Sequence, residues 1–493
     1  MTRQKGETVT GATAVEPPRT DSDAGPGLRR RCLGFTEVLG QSVANDGPSL
    51  AIATGAALVA TSATGGTTWV FVIATVAIIL VALNLVALAR RLASAGSLYE
   101  YARQGLGNLG GFVVGWAQLL GYVCGAMFSL VAVWVYLTAL LADSKVNVSA
   151  ARWGVLTIIV AGLLAGLLAF RSIRLSTRLE LLLEVASVAV ILILSVVILV
   201  KNGANFDHAQ LKATGTDFHG MALGFPLAIL SFVGFESSAS LGVEARRPFS
   251  TIPRSIMSTA VGIGIFFVLV SYVQVLGFDR HGKNIASSSA PLNDLATVYG
   301  VGTLGQVVSA GIVVSAFGIA LACLNAASRV ALTMSKDGML PPVFGRTHPV
   351  HRTPSLNVMA GTLIAVAVPA AMVAAHKDPG HLLEYYGEYT ALGLLVAYLG
   401  VCIAAPLFLR RVGALTLAGV VVGALGAIAS GGMILGQIYP IPPHPVDLLL
   451  VGFAIWLVLG VVIFAVRGAF LNGRLISAGS TTDENTADAL ARS

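Results

Sequence analysis

Two short strings of this sequence place a carboxylate beside residues that interrupt a helix. The first is NDGPS at 45–49, where Gly47 tolerates unusual dihedrals and Pro48 lacks a backbone donor. The second is VGFE at 233–236, in the middle of another apolar stretch. An ionisable group inside an apolar span is costly, and it usually faces a cavity, a partner or a transport pathway. Both strings are therefore candidate parts of a binding site formed by unwound backbone.

The composition indicates a protein that crosses a membrane several times. The chain has 493 residues, of which 55% are hydrophobic and 11% are charged, whereas soluble proteins carry about 25% charged residues. Residues 50–89 contain no charged side chain. A helix of that length could cross a bilayer twice, because one crossing needs about 20 residues. A single soluble domain and a one-span anchor are both excluded.

The apolar stretches predict an all-α membrane protein with twelve transmembrane helices. They lie near 37–60, 68–89, 111–141, 153–170, 178–200, 220–243, 255–277, 303–332, 355–375, 386–409, 412–437 and 446–467. Each is roughly long enough to cross a bilayer. Because the number is even, both termini are expected on the same side of the membrane.

Arginine and lysine are unequally shared between alternate loops. One set of loops is rich in them, for example at 29–31, 90–91 and 410–411, whereas the opposite set carries few, such as Lys201 and Lys283. Cytoplasmic loops carry the excess of positive charge in membrane proteins. The bias predicts a multi-pass cell-membrane protein with both termini in the cytoplasm. The net charge of +7 is thereby explained by topology, and the lipid bilayer rather than nucleic acid is the expected surrounding.

The two interrupted helices occupy matching positions along the chain. They are the first and sixth spans, which are the first members of two successive groups of five. Interrupted helices at corresponding positions of two halves are the best sequence indication of a transporter's binding site. The alternative is a pair of ordinary kinks packed against neighbouring helices.

Four stretches of the chain resemble the amino acid–polyamine–organocation (APC) family of permeases. They are the broken first span, RRLASAGSLY at 90–99 with the glycines and tryptophan that follow at 105–116, SFVGFE at 231–236 with GVEARRP at 242–248 and IPR at 252–254, and NAASR at 325–329 with SKDGMLP at 335–341. Their order and spacing carry the resemblance more than any one motif. It implies alternating access, with amino acids or related amines as substrates.

The resemblance also implies a domain organisation. It gives a LeuT-like core of 5+5 helices in two inverted repeats at 31–410, with the repeats at about 31–200 and 218–410. Two peripheral helices follow at 411–470. The tails at 1–30 and 471–493 are polar and are expected to be disordered and cytoplasmic, because such segments bury too little apolar surface to fold.

In a site of this kind, free backbone donors at the start of a half-helix bind a substrate carboxylate, and carbonyls at the end of the other half-helix take the ammonium group. Side chains near the breaks would then set the specificity. The predicted substrate-binding residues are Asn45, Asp46, Gly47, Pro48, Ser49, Ser231, Phe232, Gly234, Phe235 and Tyr122.

Asp46 departs from the family pattern, which has small or apolar residues around this break. Two interpretations are open. Asp46 could cap the helix that starts at Gly-Pro-Ser. It could instead be a counter-charge for a cationic substrate or a coupling proton, and an ionised Asp46 in the cavity would favour a cationic or decarboxylated amine.

Two further carboxylates are candidates for ion coupling. Glu236 matches the family's Gly-x-Glu and, by resemblance, would link protonation to opening; the alternative is a buried carboxyl bonded to nearby hydroxyls. Glu184 lies in the fifth span, where it could titrate or bind a cation, or pair at the helix end with Arg178. Glu180 is expected at the membrane interface. Ser315 and Ser328 are a possible ion site, or polar groups that hold helices together.

The function predicted from these observations is proton-coupled uptake of an amino acid by a secondary transporter. Exchange of amino acids or amines, polyamine import and a non-transporting amino acid sensor are the alternatives. An enzyme is not expected, because the histidines fall in loops or at span edges without an HExxH motif. No metal and no cofactor are expected, apart from coupling to protons. The sequence does not set the oligomeric state.

Overall fold

The computed structural model describes residues 27–141, 150–171, 173–203, 207, 210, 212, 218–288, 290–439, 444 and 447–467. Within these ranges the chain is all-helical, and its single β-bridge joins Leu33 to Ala245. The helices are α1 Phe35–Asp46, α2 Pro48–Ala63, α3 Thr67–Ala89, α4 Leu98–Leu140, α5 Ala151–Arg171, α6 Ile173–Lys201, α7 Phe218–Leu230, α8 Pro248–Asp279, α9 Pro291–Val298, α10 Gly302–Lys336, α11 Ser355–Ala374, α12 Pro379–Arg411, α13 Leu417–Ile438 and α14 Asp447–Arg467.

Ten helices of the described chain are long and apolar enough to cross a membrane. In that number the continuous helical region Phe35–Ala89 counts once, although it contains α1, α2 and α3, and the shorter α7 is left out. The chain is therefore a multi-pass membrane protein. The expected number of twelve crossings and the 5+5 repeat stay predictions.

Large apolar side chains are exposed on several of the long apolar helices. Val160 of α5, Leu182 of α6, Leu363 of α11 and Ile428 of α13 are all exposed. Soluble monomers rarely expose large apolar surfaces to water. In contrast, α3, α4, α8, α10 and α12 bury most of their residues in a common core.

The first break is a single residue wide. Helix α1 ends at Asp46, Gly47 adopts a left-handed conformation with φ 60° and ψ 57°, and α2 begins at Pro48. Glycine after a helix and proline at the next helix start are the residues these positions favour. A Cβ at Gly47 would lie 2.2 Å from the Ile319 side chain, so the left-handed backbone favours glycine here and any larger residue would also displace Ile319.

The second break is longer and touches the first. After α7 ends at Leu230, turn residues lead to a 3-10 helix at Ser237–Leu241, and α8 starts at Pro248. Gly234 has φ 118°, and a Cβ there would lie 2.6 Å from the backbone oxygen of Asn45. The missing side chain at Gly234 therefore lets the two interrupted helices approach each other through their backbones.

Candidate functional site

A cavity of about 90 Å³ lies beside the two breaks. This volume exceeds the 10–15 Å³ or so that one water needs. Asn45 and Asp46 of the first break, with Ser231 and Val233 of the second, form part of its wall. The rest is mostly apolar and includes Leu50, Leu58, Phe128, Leu227, Leu230, Ile319 and Leu394. The breaks and the cavity thus form one site, built mainly from α1, α2, α4, α7, α10 and α12.

Asp46 is a buried carboxyl group without a partner. Its residue is 5% exposed, and neither oxygen accepts a hydrogen bond within the described chain. Among the described residues that line the cavity there is no lysine, arginine or histidine. Asp46 is the last residue of α1, and α2 has Gly47 at its N-cap with no side-chain capping bond. Asp46 therefore does not cap α2, and its possible role as a counter-charge stays open.

The carboxylate of Glu184 occupies the start of α2. Its Oε1 accepts a hydrogen bond of 2.9 Å from the Ser49 N–H. The N–H of Gly47 donates to the Val43 carbonyl at 3.0 Å, and Pro48 has no N–H. The N–H groups of Gly47 and Ser49, which were expected to bind a substrate carboxylate, therefore already have partners within the protein. The negative charge of Glu184 also suits the positive end of the helix dipole.

Glu236 is fully buried between two tyrosines from different helices. Tyr122 of α4 donates to its Oε1 at 2.9 Å, and Tyr398 of α12 donates to its Oε2. The Tyr398 oxygen in turn accepts the Gly234 N–H at 3.2 Å. The carbonyl of Gly234 accepts from the Asn45 amide at 3.3 Å. One network thus joins both breaks to α4 and α12, and no described lysine or arginine pairs with Glu236.

The remaining candidates divide into cavity residues and core residues. Phe232 packs edge-on against Phe267, with ring centroids 4.9 Å apart, and Phe235 packs against Tyr398 at 5.4 Å. Both phenylalanines and Tyr122 are fully buried and stand outside the cavity wall. They support the broken segments from behind, whereas Ser231 faces the cavity.

The two serines of the possible ion site lie far apart. Ser315 is beside the first break, because its hydroxyl is 3.5 Å from where a Gly47 Cβ would stand. Ser328 instead donates to the Asn325 carbonyl on its own helix. Thirteen positions of one helix separate the two, which is about 20 Å at 1.5 Å per residue. The structure brings Ser315, but not Ser328, close to Glu184 and Ser49.

A cluster of buried polar side chains lies near one end of the bundle and was not predicted from the sequence. Glu180, expected at the interface, is fully buried and accepts from Ser176 and Asn325. Next to Asn325, Arg329 forms an ion pair of 2.6 Å with Glu244, and both side chains are 1% exposed. Glu244 and Arg329 both lie in motifs of the family resemblance, at 242–248 and 325–329. Nothing in the local sequence indicated that these two residues pair with each other.

The segment before α1 docks onto the same cluster. The N–H groups of Cys32 and Leu33 donate to the Glu244 carbonyl at 2.8 and 3.0 Å, and the Arg246 N–H donates to the Leu33 carbonyl at 2.9 Å. We call residues 28–33 the N-terminal strap. Together with the Arg329–Glu244 pair, it ties the start of α1 to the segment that follows the second broken helix.

Comparison with known proteins gives the class of the molecule. Residues 42–416 match the family model described as "Amino acid permease". An uncharacterized transporter of Mycobacterium tuberculosis is 30% identical over 63% of this chain, a match that spans 65% of the relative's length. The low-affinity putrescine importer PlaP of Escherichia coli is 29% identical over 64% of this chain and 70% of its own. The branched-chain amino acid permease BcaP of Bacillus subtilis is 24% identical over 64% and 71%.

The chain therefore belongs to the amino acid permease family, because the family model covers most of its length. This confirms the resemblance drawn from the four motifs. The family is one of permeases and not of enzymes, and two of the similar proteins are named as a putrescine importer and a branched-chain amino acid permease.

Proposed function

We propose that this chain is a secondary active transporter that moves an amino acid or a related amine across the cytoplasmic membrane by alternating access. The observation that carries the proposal is the meeting of two interrupted helices at one cavity, where Asp46 lacks a partner. Unwound backbone at membrane depth is tolerated where protein or a wet cavity surrounds it. The permease relatives support the same class of function.

The proposed topology has twelve crossings in a LeuT-like 5+5 arrangement with two peripheral helices. It counts α1 with α2 as one interrupted span, α3 as a second, and α7 with the residues after it as another. With both termini in the cytoplasm, the strap and the Arg329–Glu244 pair lie at the cytoplasmic end. The described structure would then be closed toward the cytoplasm.

Protons are the proposed coupling ion. Glu236 accepts hydrogen bonds from Tyr122 of α4 and from Tyr398 of α12, and Tyr398 in turn accepts the Gly234 N–H. No lysine or arginine of the described chain pairs with Glu236 to hold it ionised. A buried carboxylate without a cation is costly, so gain or loss of a proton at Glu236 would change how firmly the broken helix is held. Glu184 is the second candidate, because its carboxylate holds the start of α2.

Uptake into proteoliposomes tests the proposal. The purified full-length protein is offered labelled amino acids and amines under an imposed pH gradient, a sodium gradient, or internal unlabelled substrate. We expect accumulation driven by the pH gradient and abolished by a protonophore. Uptake driven by sodium alone would refute proton coupling, and dependence on internal substrate would favour exchange. No movement of any substrate by folded protein would refute the transport function.

A further inference from the structure

We propose that the preferred substrate is a primary amine with one positive charge, an apolar body and no carboxylate, and that Asp46 binds its ammonium group. The inference rests on the proposed transport function and narrows it to a substrate class. It follows from the groups that the cavity offers and from those that it lacks.

The cavity offers one carboxylate. Asp46 is in the wall, is almost fully buried and has no hydrogen-bond partner at either oxygen within the described chain. Leaving a buried carboxylate unpaired is strongly unfavourable, and a cation with N–H donors removes that penalty. An ammonium group has three such donors and no acceptor. The orphaned oxygens of Asp46 are therefore suited to a cationic nitrogen.

At positions 47–49 the first break has no backbone donor left for a substrate carboxylate. At the beginning of α2 the Ser49 N–H is taken by Glu184, the Gly47 N–H by Val43, and Pro48 has none. An amino acid placed here would leave its carboxylate without these donors. It would also set that group beside Asp46, where Glu184 and Glu236 are close enough to add to the repulsion.

Three backbone donors of the second break, at Gly234, Ser237 and Ser238, are also taken. The Gly234 N–H donates to the Tyr398 oxygen at 3.2 Å, and the Ser238 N–H donates to the Ser42 hydroxyl at 3.0 Å. The Ser237 N–H donates to the Gly234 carbonyl at 3.1 Å. An amine without a carboxylate needs none of these donors and avoids the repulsion by Asp46.

The remaining wall suits an apolar body. Leu50, Leu58, Phe128, Leu227 and Leu394 line the cavity, and Asp46 is the acidic residue among the lining residues. A second ammonium group, as in a diamine, would have to be buried against these side chains without a counter-charge, which is costly. The site therefore favours a monoamine over a diamine.

Matched pairs of ligands that differ only in the carboxylate test the proposal. Leucine is compared with isoamylamine, and phenylalanine with phenethylamine, with putrescine as the diamine. Binding to the full-length protein is measured by isothermal titration, and uptake is measured in proteoliposomes. We expect each amine to bind at least about tenfold more tightly than its amino acid. A tenfold ratio of dissociation constants corresponds to about 1.4 kcal/mol, and burying the amino acid's carboxylate without partners costs at least that much.

Variants of Asp46 identify the group responsible. Asp46→Asn should weaken binding of the amines by about 30-fold or more, as expected when one partner of a buried charge pair is removed. Asp46→Glu should recover part of that affinity. Asp447→Asn is the matched control, since Asp447 is paired with His444 on the exposed surface, and it should bind the amines as the wild type does.

The outcomes separate this inference from the transport function. Tighter binding of the amino acids, preference for putrescine, or unchanged amine affinity in Asp46→Asn would overturn the inference. If amino acids are transported but the amines are not, the transporter stands and the substrate class is wrong. If neither class binds or moves while the protein remains folded, both proposals fail.

Discussion

Gly234 is the residue on which the contact between the two broken helices most directly depends. We predict that Gly234→Ala abolishes uptake and lowers thermal stability. Its φ of 118° is strained for alanine, a penalty of about 1–3 kcal/mol, and the new Cβ would lie 2.6 Å from Asn45 backbone and side-chain atoms. Thermal unfolding in detergent and uptake in proteoliposomes measure the two effects.

Gly262→Ala is the matched control for that substitution. Gly262 is in α8, an added Cβ there meets nothing within 4 Å, and alanine favours a helix over glycine by up to about 1 kcal/mol. Unfolding and uptake should therefore equal or slightly exceed the wild type. Equal behaviour of the two variants would mean that the approach of the breaks at Gly234 is unimportant.

Glu236 is the residue at which proton coupling can be separated from transport itself. We predict that Glu236→Gln abolishes uptake driven by a pH gradient but retains exchange of labelled for unlabelled substrate. Glutamine preserves one acceptor for the tyrosine hydroxyls and cannot titrate. Counterflow in the same proteoliposomes measures exchange. Wild-type accumulation by this variant would exclude Glu236 as the coupling group.

At the scale of elements, the N-terminal strap has a thiol that reports its docking. Burial of the Cys32 thiol raises its pKa, and the nearby Glu244 carboxylate raises it further. The thiolate is the reactive form, so maleimide labelling of docked Cys32 should be slow near neutral pH. The rate should reach half its maximum at a pH above that of a free cysteine.

Undocking of the strap should therefore appear as faster labelling. We predict that Glu244→Gln increases the limiting rate at Cys32 at high pH, because it leaves Arg329 buried without its counter-charge, a change that typically costs about 3–5 kcal/mol. The rates are compared at a pH where the thiol is fully ionised in both proteins, since loss of the Glu244 charge by itself lowers the Cys32 pKa. Replacing both partners with apolar residues, as Arg329→Met with Glu244→Leu, should restore part of the thermal stability. Unchanged labelling in Glu244→Gln would show that the ion pair does not hold the strap.

The elements also show what could be learned from the sequence. The NDGPS and VGFE strings located both breaks, because glycine, proline and a carboxylate in an apolar span are local signals. The contacts of Glu236 with Tyr398 and of Glu184 with Ser49 could not be predicted. They join residues 162 and 135 positions apart, so they depend on helix packing rather than on local pattern. We expected three aromatic residues in the cavity wall: Phe232, Phe235 and Tyr122. They are instead buried in the core and do not line the cavity.

At the scale of the whole molecule, alternating access predicts that the cavity opens to one side at a time. Cys323 lines the cavity, where its thiol donates to the Asn45 side chain at 3.2 Å. If the strap and the ion pair close the end that we propose to be cytoplasmic, a membrane-impermeant thiol reagent should reach Cys323 from outside the cell. In Glu244→Gln, labelling from the cytoplasmic side of inverted vesicles should increase and labelling from outside should fall.

The background for this experiment removes the other thiols by Cys32→Ser, Cys124→Ala and Cys402→Ala. A second protein that retains only Cys402 serves as the control, because Cys402 is buried away from the cavity and should stay unlabelled from either side. Bound substrate should protect Cys323, since both occupy the same space. Labelling from both sides at equal rates in the wild type would contradict a closed cytoplasmic end, and labelling only from the cytoplasmic side would reverse the proposed orientation of the chain.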